Sequence, residues 1–304
     1  MKKIIVNAKS IPKYEEFMAK INAGFKNIEI QLISKKVSEQ DYKDTLKVIN
    51  EKNVNIRVVH TPLIKNDDGS CYDVALDRLL VSDYEEVLKE CFKYCEYVAK
   101  IEKHRIKMVV HNEFTKMIWS ETNTIKEKIV PIIKKLFETY PDVDLVIENG
   151  QIVNDDGFEI LTKMQDVSYA VNELNKYLEP NRVLTLMDTC HLMMVWKNWE
   201  LFNNVDETDW EQQFKYATEF YPLGLIHLNN IHINGIETDH GVAFDKDNEK
   251  DMNKLKQIME NYEKYANCEI TIEVREDDYK DIPKNLLATK ESLEKLGYEL
   301  DTNL

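Results

Sequence analysis

Six residues able to bind a divalent cation or move a proton recur at one kind of place in this sequence. His60, His111, Glu148, Asp188, His227 and Glu273 each close, or stand near the end of, a short run rich in β-branched residues. Glu148, Asp188 and Glu273 brought together without a counter-ion would repel by roughly 4 kcal/mol per pair at 4 Å and an effective dielectric of ~20. A divalent cation removes that penalty. Carboxylate oxygens joined by an imidazole suit Mn²⁺, Zn²⁺, Mg²⁺, Co²⁺ or Fe²⁺ without choosing among them. Such a set offers Lewis-acid stabilisation of developing charge, with carboxylates that can take and return a proton. A single Glu or His at a strand end is more often a hydrogen-bonded loop residue. Six at equivalent positions argue jointly for a site.

Positioning them requires elements that end on a common face. Eight β-branched runs, at residues 3–7, 27–32, 55–60, 106–111, 143–148, 183–188, 224–229 and 269–274, alternate with stretches of helical spacing. The helical stretches are 12–23, 39–51, 73–103, 123–140, 158–178, 199–220, 248–266 and 283–296. Eight strand–helix units without a break in composition predict one (β/α)8 TIM barrel, an α/β domain spanning residues 1–304. Carboxyl ends of barrel strands converge on the face that carries the active site. In the last run Ile270, Ile272 and Val274 share one side, so Glu273 points to the other, the lumen. The same alternation turns Glu29 inward between Ile28 and Ile30, making it a further candidate at a lower or neighbouring level.

The 304 residues are 43% hydrophobic and 31% charged, which excludes disordered and fibrous classes. A net charge of −15 disfavours nucleic acid and anionic lipid as partners, unless bound metal ions reverse the local field. Met1-Lys2-Lys3 is followed by three apolar residues only, short of a secretory leader, and no run reaches the ~18 apolar residues of a membrane helix. Five cysteines without a C-x-x-C pair suit free thiols in a reducing cytoplasm. Cys190 reads as packing rather than as a thiolate ligand. Self-association is left open.

The motifs Val59-His60-Thr61-Pro62, Val109-Val110-His111, Val146-Ile147-Glu148-Asn149, Met187-Asp188-Thr189-Cys190-His191, Ile226-His227-Leu228-Asn229 and Asp239-His240-Gly241, in this order, resemble those of the xylose isomerase-like barrel superfamily. That superfamily contains sugar isomerases and epimerases, inosose dehydratase-type lyases and endonuclease IV, the type member of AP endonuclease family 2. The resemblance implies a metal site of Glu148, Asp188, His227 and Glu273. It also implies substrate or additional-metal contacts by His191 and His240, while His60 and His111 read from their rim position as ligand or substrate contacts. Thr238 replaces the Asp that the endonuclease pattern wants two residues before His240, and Asn112-Glu113 follows the fourth-strand histidine where the family has Pro-Gly. The Ile28-Glu29-Ile30 triplet is similar to the sugar branch.

The expectation is therefore a divalent-metal-dependent isomerase or epimerase of a sugar, polyol or related polyhydroxy carbonyl compound. It would abstract a proton next to the carbonyl through Glu148 and Glu273 and stabilise the resulting enediolate by the metal. Trp119, Trp196 or Phe114 would cover the substrate's apolar face. An endonuclease IV-like phosphodiesterase acting on abasic DNA is the enzymatic alternative, and a non-catalytic sugar- or metal-binding barrel the other.

Overall fold

The computed structural model describes residues 2–65, 71–73, 76, 84–111, 125–150, 163–179, 181–194, 208–234 and 237–303. In chain order the strands are β1 (Lys2–Ser10), β2 (Asn27–Gln31), β3 (Asn55–His60), β4 (Leu63–Lys65), β5 (Cys71–Asp73), β6 (Ile106–Val110), β7 (Val143–Glu148), β8 (Val183–Asp188), β9 (Leu223–Leu228), β10 (Asn230–Asn234), β11 (Glu237–Val242), β12 (Glu269–Ile272) and β13 (Tyr298–Asp301). The helices are α1 (Tyr14–Asn22), α2 (Glu39–Lys52), α3 (Tyr84–Glu102), α4 (Val130–Thr139), α5 (Met164–Asn175), α6 (Trp210–Ala217), α7 (Glu249–Tyr265) and α8 (Lys284–Lys295).

Strands β1, β2, β3, β6, β7, β8, β9 and β12 pair in parallel in that order, and β12 pairs back to β1 from Val6↔Ile270 to Ala8↔Ile272. The sheet is a closed eight-stranded barrel, as the alternating runs predict. Its outward residues, among them Val6, Ala8, Ile28, Ile30, Ile270 and Ile272, are buried in one core with the helices. Local signals set the helix ends. Ser38 and Asp41 form a capping box at the start of α2, Asn53 closes that helix in the left-handed region, and Gly297 follows α8 at φ +93°.

The lumen is split. Val58, Val109, Val146, Leu186 and Leu225 fill the side formed by β3, β6, β7, β8 and β9. Gly224 makes that packing fit, because a Cβ there would stand 2.8 Å from Leu184 Cβ and 2.9 Å from Val146 Cγ1. The side formed by β1, β2, β9 and β12 is polar, carrying Asn7, Lys9, Glu29, His227, Glu269 and Thr271.

Four features differ from the sequence expectation. Within the helix expected over 73–103, Tyr84–Glu102 is helical among the described residues, whereas Asp73 belongs to the strand Cys71–Asp73, which pairs antiparallel with Leu63–Lys65 as a hairpin. A second hairpin, β10–β11, follows the seventh barrel strand. The last barrel run ends at Ile272, and Glu273 lies just beyond it with its N–H donated to Leu228 O. A ninth parallel strand, β13, pairs with the first half of β1 outside the barrel. The turn expected at 66–70 and the rim aromatics Phe114, Trp119 and Trp196 lie outside the described residues. No helix among the described residues is long and apolar enough to cross a membrane.

Candidate metal centre

The carboxyl ends of β7, β8 and β9 deliver Glu148, Asp188 and His227 side by side, and the residue after β12 delivers Glu273. Each offers one ligand atom, and those four atoms all lie within 4.8 Å of one another. His227 Nδ1 is 2.6 Å from Glu273 Oε2 and 3.4 Å from Glu148 Oε1. Yet both His227 Nδ1 and Glu273 Oε2 are buried without a hydrogen-bond partner. With Glu148 and Asp188 they make a compact donor set of the kind that holds a divalent cation.

The tautomers sharpen this. His227 Nε2 stands 3.1 Å from Glu29 Oε2 and donates there, so in the neutral ring it is Nδ1 that offers its lone pair toward the carboxylates. His60 Nδ1 donates to Thr61 O at 2.8 Å, leaving Nε2 to face Glu148 Oε2 at 3.3 Å and His111 Nε2 at 3.3 Å. His191 Nδ1 donates to Asn149 O at 2.7 Å, leaving Nε2 to meet His240 Nε2 at 3.0 Å. In each case an outer oxygen fixes the ring and an inner nitrogen is presented, the arrangement by which proteins hold metal-binding imidazoles.

Three further ligand sets adjoin the first: His60, His111 and Glu148; Asp188, Cys190 and His240; and Glu29, His60 and His227. Glu148 links the first two neighbourhoods, with Oε1 toward His227 and Oε2 toward His60 and His111. The donor chemistry of the Glu148–Asp188–His227–Glu273 set, three carboxylates and one neutral imidazole nitrogen, fits a divalent cation.

The electrostatics agree. Burial opposes ionisation of Glu148, but His111 and His227 outweigh it and hold the carboxyl well below its usual range. Burial likewise opposes ionisation of Glu273, and Lys9 and His227 outweigh it. Burial works against a charged His227, yet Glu29, Glu273 and Glu148 raise its pKa well above the ordinary value. The field that would draw a proton onto Nδ1 is the field that would draw a cation. At Cys190 burial pushes the thiol up, so the group is held as a thiol in the absence of a cation.

All nine site candidates fall within the described residues, and the structure gathers them in two layers. Glu148, Asp188, His227, Glu273, His60, His111, His191 and His240 occupy the rim. Glu29 lies a layer below, fully buried, accepting from His227 Nε2 and, at 2.7 Å, from Thr271 Oγ1. Asn149 and Asn229 pin the strand ends. Asn149 Oδ1 accepts from Asp188 N at 2.7 Å, and Asn229 Nδ2 donates to Asp188 Oδ2 at 3.0 Å while its Oδ1 accepts from Cys190 N at 2.9 Å. His240 reaches the site because the β10–β11 hairpin folds back, pairing Ile231 with His240.

One residue at the site was not among those expected from the sequence. Lys9, on the inner face of β1, donates to Glu273 Oε1 at 2.6 Å and lies 3.7 Å from Glu29 Oε1. The signal was available, because the alternation that faces Val6 and Ala8 outward turns Asn7 and Lys9 inward.

No family model and no curated protein matches the sequence. Solved structures do match, over nearly the whole chain. A D-tagatose 3-epimerase-like protein aligns with a TM-score of 0.58 at 16% identity, covering 97% of this chain and 96% of that one. The IolI protein with a bound zinc atom aligns with a TM-score of 0.56 at 14% identity, covering 97% and 98%. SacUVDE aligns with a TM-score of 0.54 at 13% identity, covering 96% and 99%. The chain shares with them the closed barrel of eight parallel strands. At these identities the likeness concerns the fold, and the reaction must be argued from the rim.

Proposed function

We propose that the protein is a divalent-metal-dependent isomerase or epimerase acting on a small polyhydroxy carbonyl compound, with the cation held by Glu148, Asp188, His227 and Glu273. The observation that carries the reading is the convergence of His227 Nδ1, Glu273 Oε2 and Glu148 Oε1, two of them buried and without a hydrogen-bond partner. The neighbouring protein with bound zinc supports a cation in this fold and leaves its identity open.

A cation at that point supplies Lewis-acid stabilisation of charge developing on adjacent substrate oxygens. The chain's own residues do the rest. Glu148 and Glu273 each bring a carboxylate oxygen within 3.4 Å of His227 Nδ1, and one of them would take the proton from the carbon next to the carbonyl. The other, or the same one, returns it. Positioned groups of this kind contribute typically 10²–10⁴-fold. Lys9 keeps Glu273 anionic, Glu29 orients His227, and His60 and His191 are placed to orient hydroxyls. The test is exchange of solvent deuterium into a panel of ketoses and polyol-derived ketones. Glu148→Gln and Glu273→Gln should each abolish it in a folded chain, and near-normal exchange in both would refute the assignment.

A second reading, hydrolysis of a phosphodiester, is favoured by a different observation. The ring nitrogens of His60 and His111 face the second oxygen of Glu148, and those of His191 and His240 face each other beside Asp188. Sets that hold two or three ions clamp the attacking and leaving oxygens of an in-line displacement. The net charge of −15 works against a polyanionic substrate. Metal-dependent incision of DNA containing an abasic site, lost in His191→Ala, would establish this reading in place of the first.

A further inference from the structure

Beside the centre lies a cleft of about 330 Å³ whose lining includes Lys9, Gln31, His240, Gly241, Glu273 and Arg275. Its chemistry is set by what remains unsatisfied there. The Lys9 ammonium has three donors. One goes to Glu273 Oε1 at 2.6 Å, and Glu29 Oε1, at 3.7 Å, is beyond hydrogen-bond reach. The side chain keeps 14% of its surface exposed, toward the cleft.

Arg275 supplies the second cation. It lies three residues past β12, and among the described residues its guanidinium has neither an ion pair nor a hydrogen bond. Its backbone is tied to the hairpin, with Arg275 N donating to Gly241 O at 2.8 Å. Its stem lies across Gly241, where a Cβ would stand 3.2 Å from Arg275 Cγ and where φ is +74°. Gly241 thus leaves the lane the arginine occupies. Of the lining carboxylates, Glu273 is engaged by Lys9 and the centre, and Glu16 is the other. The cleft offers two positively charged donors, Lys9 Nζ and the Arg275 guanidinium. The position, at the ends of the seventh and eighth barrel strands, is where barrels frequently build phosphate sites.

We propose that this cleft is an oxyanion subsite, holding a phosphate monoester or carboxylate of the substrate on Lys9 Nζ and the Arg275 guanidinium while the rest of the molecule reaches the centre past Glu273. The proposal rests on the metal-centre reading and names the substrate class for it. The test titrates the Mn²⁺-loaded protein, by calorimetry, with D-ribulose, D-ribulose 5-phosphate and D-ribonate as probes. At least one of the two anions should bind about tenfold tighter than the neutral ketose, the scale of a charge-assisted pair. The one that gains identifies the group. Arg275→Met should remove that gain and leave ribulose affinity unchanged, and Gly241→Ala, which displaces the arginine stem, should weaken it. Lys9→Met should also remove the gain, with Mn²⁺ affinity measured alongside because Lys9 touches Glu273. Anions that bind no tighter than ribulose overturn the subsite, as does a gain that survives both Arg275→Met and Lys9→Met. Failure of the wild-type chain to bind Mn²⁺ would instead defeat the metal-centre reading.

Discussion

At the lower end of the barrel, where the strands begin, Glu269 is answered from three sides. Arg57 Nε donates to its Oε1 at 2.6 Å, Lys107 Nζ lies 3.6 Å from the same oxygen, and Asn7 Nδ2 donates to Oε2 at 3.5 Å. Lys107 also donates to Gly224 O at 3.0 Å. At the upper end Glu148, Asp188 and Glu273 crowd around His227, and the lysine within reach touches only Glu273. Atoms are left over there, His227 Nδ1 and Glu273 Oε2 among them. Both ends belong to the same eight strands. The lower one spends its charges on each other and the upper one keeps lone pairs in hand, which separates what holds the fold from what awaits a ligand.

The sharpest break in that contrast is Glu148→Gln. Removing the carboxylate that both histidine neighbourhoods share should weaken divalent-metal binding by about 100-fold or more. Metal at 100 times its dissociation constant should add about 2.7 kcal/mol to wild-type stability, an increment that chelator removes from the wild type and not from the variant. Thermal unfolding with and without chelator reads both. Next comes Glu29→Gln, which leaves every rim ligand in place but takes the carboxylate from behind His227. Mn²⁺ affinity by paramagnetic resonance should fall about 10–100-fold in a folded chain. An unchanged affinity would detach the lower layer from the centre.

At the opposite end the expected effects exchange places. Glu269→Gln should cost about 2 kcal/mol in denaturant unfolding, less than a wholly buried pair because Arg57 is 35% exposed, and should leave metal affinity unchanged. The smallest effect is a pH dependence at Glu102, which accepts from Ile56 N at the base of β3. Burial pushes its carboxyl up to about 7 from an ordinary 4.5, against the Ile56 N–H and Arg57. A raised pKa gives stability that is present below 4.5 and is lost as pH rises through about 7. Glu102→Gln should therefore be about 1–3 kcal/mol more stable than the wild type at pH 8, with the gain gone at pH 4.

Much of this was legible in period-2 alternation. The apolar sets Ile28/Ile30 and Ile270/Ile272 turned Glu29 and Glu273 inward, and strand ends placed His60, Glu148 and Asp188 on one rim. Lys9 was not read because the run was closed at residue 7, whereas β1 continues to Ser10 through pairing of Ala8 with Ile28 and Ser10 with Ile30, a long-range contact. The β10–β11 hairpin carried a local signal, Asn234-Gly235 between β-rich segments, that period alone does not weigh. What no local pattern holds is the fixing of the ring tautomers. The partners of His191 and His227 are Asn149 O and Glu29, 42 and 198 residues away in sequence, and only the closed barrel brings them together.

The central claim is that a divalent cation belongs between His227 Nδ1, Glu273 Oε2, Glu148 Oε1 and Asp188. Anomalous diffraction from crystals of protein purified without chelator and supplied with Mn²⁺ tests it most directly. The account predicts a peak at that point, with any further peaks beside His60 and His111 or beside His191 and His240, and the first peak lost in Glu148→Gln. Crystals in which that point shows no anomalous density, with the four side chains unmoved by chelator, would contradict it.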